Sequence, residues 1–260
     1  MTSAKLQAAL VAGLLSMLPM TAFAQGFSTF GISAARGAPF SAIQETVFTG
    51  NQFPEFRMYP PRRIVPIVTL MRDYRDFEGR THQERFFPAS LWTTGTPSSI
   101  EIVDPVLSLM YSLNPQTHVA ERLRMARPRN PLTPPPGGNA CTNRESSEPQ
   151  AVQTPLVPEF AGRVGSSRAS LGTREMEGVL AEGSVTMSTI PAGTGWNTTP
   201  LYFTKETWVS RILDMTIYQR TYDPLQQGVT VDRLRQIKCI VPDPALFRVP
   251  AGYKIVDTAR

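Results

Sequence analysis

The stretch IEIVDPVLSLMYSLNPQTHVAERLRM, residues 100–125, decides the fold class. Ile100–Val103 stops at Asp104-Pro105, Val106–Leu113 stops at Asn114-Pro115, and His118–Met125 follows. Within the middle run Leu107, Leu109, Tyr111 and Leu113 alternate with Ser108, Met110 and Ser112, which puts the large apolar groups on one face of a strand. In the third run Val119, Leu123 and Met125 stand against His118, Ala120, Arg122 and Arg124. Short alternating runs separated by turn dipeptides predict an antiparallel meander.

The same rhythm extends in both directions. Upstream, Phe40–Phe48 predicts a first strand, and Asn51–Arg63 a loop, because Pro54, Pro60 and Pro61 supply no ladder hydrogen bonds. Ile64–Tyr74 and Thr81–Phe87 flank Arg75–Arg80 as a hairpin whose Gly79 can take the positive φ that closes the loop. Downstream, Arg127–Phe160 is rich in proline and poor in large apolar residues, so it reads as a linker or insertion. Strands resume at Ala169–Met176 and Val179–Ile190 across the turn Glu177-Gly178, then at Lys205–Ser210, Ile212–Tyr218 and Val229–Ile240. Pro242–Phe247 predicts one helical turn capped by Asp243 with Pro244 at its first position, and Gly252–Val256 a last strand. No 10–15-residue helical pattern lies between strands, as an α/β chain would require. The expectation is an all-β, curved antiparallel sheet, half-barrel-like, of about ten strands with a Pro-rich insertion.

The amino-terminal residues predict export. Lys5, the apolar run Leu6–Met20 and Ala22-Phe23-Ala24 form a signal peptide over 1–24, with cleavage before Gln25. The run is short for a membrane span, and Gln25 rather than Cys follows the cut, so the mature chain is expected to be soluble, periplasmic or secreted. A flexible leader over 25–38 then precedes one β domain in two halves, 39–126 and 161–260, around the insertion at 127–160. The formal charge of +5 falls to about +4 on processing, too mild for a nucleic-acid-binding face. Cys141 and Cys239 are the only cysteines. In an oxidising compartment they can pair, closing a loop of about 100 residues, or remain a buried and an exposed thiol.

Catalytic and metal chemistry finds little support. His82 and His118 are the only histidines, are far apart, and read as solvated strand residues. No G-x-S-x-G elbow occurs; Gly165-Ser-Ser-Arg168 precedes a strand, and Gly193-Thr-Gly195 has no helix after it. Glu45, Glu84, Glu101, Glu121, Glu206 and Asp214 fall on predicted strands, where pairing with arginines is the simpler reading than a glycosidase acid pair. Asn197-Thr198-Thr199 matches a glycosylation sequon. The expectation is a non-enzymatic protein with no catalytic or metal residues and no cofactor.

Several segments together carry a resemblance. They are Tyr74–Arg80, Val103-Asp-Pro-Val106, Tyr111–Pro115, Leu171–Val179, Thr189–Gly193 and the ending Asp243–Lys254. The chain resembles a family of uncharacterised exported bacterial proteins familiar from acidobacterial genomes. Its strand layout is similar to the periplasmic lipoprotein-carrier half-barrel, also seen in outer-membrane lipoprotein receptors and a sigma-factor regulatory protein. That resemblance implies a curved antiparallel sheet with an apolar concave face able to hold acyl chains, and no site residue is carried over from it.

Two surfaces stand out as binding candidates. Arg122, Arg124, Arg127 and Arg129 cluster where the meander enters the insertion, as a basic docking patch or as a solvated strand edge. Met110, Tyr111, Met125, Trp208, Met215 and Tyr218, with Met187, either line an adaptable apolar groove or pack a plain core. The functional expectation is an exported envelope protein holding an apolar, acyl-chain ligand on its curved sheet. The alternative is a protein-interaction or envelope-stress sensing module that docks an envelope protein through its sheet edge and basic patch. Neither reading involves nucleic acid or a membrane span, and the residues name neither the ligand nor the oligomeric state.

Overall fold

The computed structural model describes residues 37–50, 66–126, 165–194 and 197–258. Twelve strands within them form one curved, unclosed, nearly all-antiparallel sheet. The first six are β1 (Phe40–Thr49), β2 (Ile67–Arg75), β3 (Thr81–Phe86), β4 (Ser99–Asp104), β5 (Leu109–Asn114) and β6 (Val119–Arg124). The rest are β7 (Gly165–Met176), β8 (Val179–Ile190), β9 (Leu201–Ser210), β10 (Met215–Asp223), β11 (Gly228–Lys238) and β12 (Lys254–Asp257). Their spatial order is β12-β6-β5-β4-β3-β2-β1-β11-β10-β9-β8-β7. Two meanders are thus joined where β1 pairs with β11, and only β12 runs parallel to its neighbour, β6.

The turns account for where strands begin and end. Asp76 Oδ1 accepts from the backbone N–H of Glu78 and of Arg80 at 2.9 Å each, while Gly79 takes φ +76° as the hairpin requires. Two predicted strands are shorter than expected, for one reason. Val106–Ser108 belongs to a turn, because Asp104 Oδ1 takes the Leu107 N–H at 2.8 Å and Ser108 adopts φ +55°. Ile212–Asp214 likewise turns, with Asp214 at φ +48°. Between β3 and β4 a single helical turn, α1 (Leu91–Thr94), interrupts the all-strand pattern, and Gly95 closes it at φ +72°. No helix among the described residues is long and apolar enough to cross a membrane.

The lower end of the sheet, where β1 begins and the β7–β8 and β9–β10 turns lie, is closed by the main core. Phe40, Trp208, Leu213, Ile217, Tyr218 and Leu234 are among its buried members. The guanidinium of Arg75 is buried there and donates to the carbonyls of Ala38 at 2.9 Å and Leu213 at 2.5 Å, 5.0 Å from the Phe40 ring centre. Burial pulls it down to about 10 from its ordinary value near 12.5.

After β11 the chain crosses the sheet as a strap, from the centre to the far edge. Asp243 caps a 3-10 turn, Pro244–Phe247, by accepting the Ala245 N–H at 2.9 Å. Val249 and Tyr253 then pack on Ile102, Leu113 and Ala120, and the Lys254 N–H donates to the His118 carbonyl at 2.8 Å to start β12. The strap corrects the reading of His82 as a solvated residue. His82 is 5% exposed, and its Nδ1–H donates to the Leu246 carbonyl at 2.6 Å. His118 is exposed, with its ring 5.3 Å from that of Tyr253.

Candidate functional site

Residues in register across a sheet share a face, so the strand pairings lay out rows of side chains. On both flanks one face is the buried one. Glu206, Trp208 and Ser210 of β9 are buried while Lys205 and Val209 are exposed; Ile102 and Leu113 are buried while Glu101 and Ser112 are exposed. Register connects these buried residues across the sheet into a single inner face.

Three inner rows define its character. The lowest runs Gly183–Trp208–Tyr218–Arg233–Glu45–Leu70–Phe86 from β8 to β3. The next up runs Val185–Glu206–Arg220–Val231–Val47–Val68, and above it stand Met187, Thr204, Tyr222 and Val229. The lowest row is filled: Trp208 is 2% exposed, and a Cβ built on Gly183 would come within 2.8 Å of two of its ring carbons. Above it Val185, Met187, Val229, Val231, Val47 and Val68 are only half-buried, and Tyr222 is 37% exposed. The main core closes the lower end and the strap covers β3–β6. The upper inner face of β8–β11, β1 and β2 is therefore where apolar side chains remain incompletely covered.

Charges cross this face in pairs. Arg233 Nε donates to Glu45 Oε2 at 2.5 Å, and Arg235 lies 3.7 Å from the same oxygen. Arg72 Nη1 donates to Glu84 Oε2 at 3.1 Å while its guanidinium sits 4.9 Å from the Phe86 ring centre and 4.8 Å from that of Trp92. Burial alone would push the Glu84 carboxyl up, but the hydrogen bonds from His82 and Arg72 outweigh it and hold the group below its ordinary value. These contacts give Glu45 and Glu84 cross-strand partners. Glu206 differs: it is 6% exposed and its Oε1 accepts the Trp208 indole N–H at 2.7 Å. Among the described residues no group of three or more His, Cys, Asp or Glu could hold a metal ion.

The opposite, outer face is buried at the polar residues Gln44, Thr46, Thr69, Asp73 and Asp232 and, by the same register, at the core members Ala42 and Leu234. Burial pushes the Asp73 carboxyl up to about 7 from 3.8, against the pull of the Gln83 hydrogen bond and the Arg85 charge. Asn197 of the sequon is 6% exposed, and its amide donates to the carbonyls of Pro191 at 2.7 Å and Thr199 at 3.0 Å.

The residues singled out in the sequence do not converge. Trp208, Met215 and Tyr218 lie in the main core at 2%, 6% and 4% exposure. Tyr111 packs at the second cluster, under the strap, whereas Met110 shares the outer face with Val103 and Leu123. Met125 is half-buried below β6, its N–H donating to the Ser108 carbonyl at 2.8 Å. Arg122 is held by Asp257 of β12 through two bonds, 2.7 and 2.9 Å, and Arg124 is exposed. β6 is not the sheet edge that the strand pattern suggested, because β12 lies outside it. Cys239 is half-buried and disulfide-bonded; Cys141, Arg127 and Arg129 lie outside the described residues. Sequence reading missed Val185, Arg220, Val231, Val47 and Val68, since only register brings them into one row.

No protein-family model matches the chain, and no curated protein matches it. Solved structures do. An uncharacterised conserved protein from Thermus thermophilus is 12% identical over 85% of this chain and 91% of its own, with a TM-score of 0.41. A LolA superfamily protein from Nitrosomonas europaea is 9% identical over 82% of this chain and 90% of its own, with a TM-score of 0.33. A DUF1329 family protein from Desulfovibrio piger is 8% identical over the same shares, 82% and 90%, with a TM-score of 0.29. At TM-scores of 0.41 and below, these likenesses support no functional conclusion.

Proposed function

We propose that the protein is an exported, non-enzymatic binding protein of the bacterial cell envelope that holds an acyl chain or another apolar ligand on the inner face of its sheet. One observation carries this reading. Valines from four different strands stand half-buried in a single row, above a lower end that is already packed. A sheet that needed only a core would cover such a row, because each buried CH₂ stabilises by about 0.8 kcal/mol. The row crosses six strands, about 24 Å at a spacing near 4.8 Å. That exceeds the ~15 Å that an acyl chain spans in half of a bilayer's hydrocarbon core. Native mass spectrometry of the full chain, expressed with its leader and purified from the periplasm, tests the reading. A co-purifying lipid mass supports it. A bare polypeptide mass, together with no uptake of added neutral 1-N-phenylnaphthylamine, overturns it.

A further inference from the structure

Resting on that acyl-binding reading, we propose that Arg220 fixes the ligand's head group, so that the inner face selects amphiphiles carrying one oxyanion, a carboxylate or a phosphate, on an apolar tail. Four arginines stand on the inner face of the central strands, and one of them, Arg235, lies 3.7 Å from Glu45 Oε2. Arg72 bonds Glu84 and Arg233 bonds Glu45. The half-buried Arg220 guanidinium makes no hydrogen bond or ion pair with any described residue. The nearest acid by register is Glu206, whose Oε1 already accepts from Trp208, and Glu206 and Arg220 form no ion pair. On its other side Arg220 faces Val231, and Tyr222 follows two residues along β10.

A half-buried guanidinium with Val231 on one side and an unbonded Glu206 on the other presents donors in a fork that suits carboxylate or phosphate oxygens. The Glu206 charge weakens the pull on an anion without removing the donors. The position is also right for an amphiphile: the head would meet Arg220 while the tail lies along the apolar row towards Val47 and Val68.

The test is displacement of neutral 1-N-phenylnaphthylamine from the full-length protein by tetradecanoic acid, tetradecyl phosphate and tetradecanol. The acid, the phosphate or both should compete at least about tenfold better than the alcohol, the value of one charge-assisted hydrogen-bonded pair. Which of the two is stronger names the head group. In Arg220→Gln the anion preference should fall to about one while the dye and the alcohol bind as before, which shows the face intact. Arg220→Lys should keep part of the preference, and Glu206→Gln, which keeps an acceptor for Trp208, should raise it. Equal competition by acid, phosphate and alcohol overturns the head-group assignment and leaves the acyl-binding reading standing. An unchanged preference in Arg220→Gln removes Arg220 from the site. Failure of the dye to bind at all overturns both.

Discussion

Replacing Asp73 with Asn should make the protein more stable at alkaline pH and less so in acid. Asp73 is fully buried on the outer face of β2; its Oδ1 accepts from Gln83 Nε2 at 2.9 Å, and its Oδ2 has no hydrogen-bond partner. Its carboxyl titrates at about 7 in the folded chain against 3.8 when unperturbed. Between those values the folded protein holds a proton that the unfolded chain has released. This stabilising contribution is complete below the unfolded value and is lost as pH rises through the folded one. Three pH units at about 1.4 kcal/mol each make the loss roughly 4 kcal/mol by pH 8. Asn keeps the Gln83 acceptor and cannot ionise, but it buries an unpaired N–H at a cost of about 1–2 kcal/mol. The variant should therefore gain roughly 2–3 kcal/mol over the native chain at pH 8.5 and lose no more than about 1 kcal/mol at pH 4.5, where the native chain has itself already lost about 1 kcal/mol. Urea unfolding followed by tryptophan fluorescence from pH 4.5 to 9 reads the difference directly. Curves that stay parallel across that range would mean that Asp73 does not take up a proton on folding.

Other perturbations probe the packing. Gly183→Ala drives a Cβ against the Trp208 ring, so chemical denaturation should show a loss of about 1–3 kcal/mol and a shifted tryptophan emission. Phe247 is 5% exposed in the strap, and Phe247→Ala should cost about 3–5 kcal/mol and open the strap to limited proteolysis near residues 240–250. Arg122→Ala removes an ion pair to Asp257 at the surface, and calorimetry should find the unfolding midpoint unchanged within error.

The strand meander was readable because its signals are local. Asp104-Pro105 and Asn114-Pro115 stop strands by their own chemistry, and Gly79 and Asp243 act as their residue types require. Where local reading failed, a distant segment or a side-chain bond had intervened. His82 looks solvated among Arg80, Glu84 and Arg85, yet Leu246, 164 residues away, covers it. Val106 and Leu107 alternate like strand residues, but the Asp104 carboxylate takes the Leu107 N–H that a ladder would need. The candidate site was the least legible part. Trp208 and Tyr218 stand out in the sequence for size and prove to fill the core. The valines that stay half-buried are individually ordinary, and they form a row only through register across strands up to 184 residues apart, as between Val47 and Val231.

The most direct test is where an acyl chain touches the protein. A fatty acid carrying a photoactivatable diazirine on its tail, irradiated with the full-length protein and mapped by peptide mass spectrometry, reads this residue by residue. Adducts are expected at inner-row positions such as Val185, Tyr222, Val229 and Val231, and few at their outer-face neighbours Thr186, Thr221 and Thr230. Adducts spread evenly over both faces, or confined to the outer one, would contradict acyl binding on the inner face.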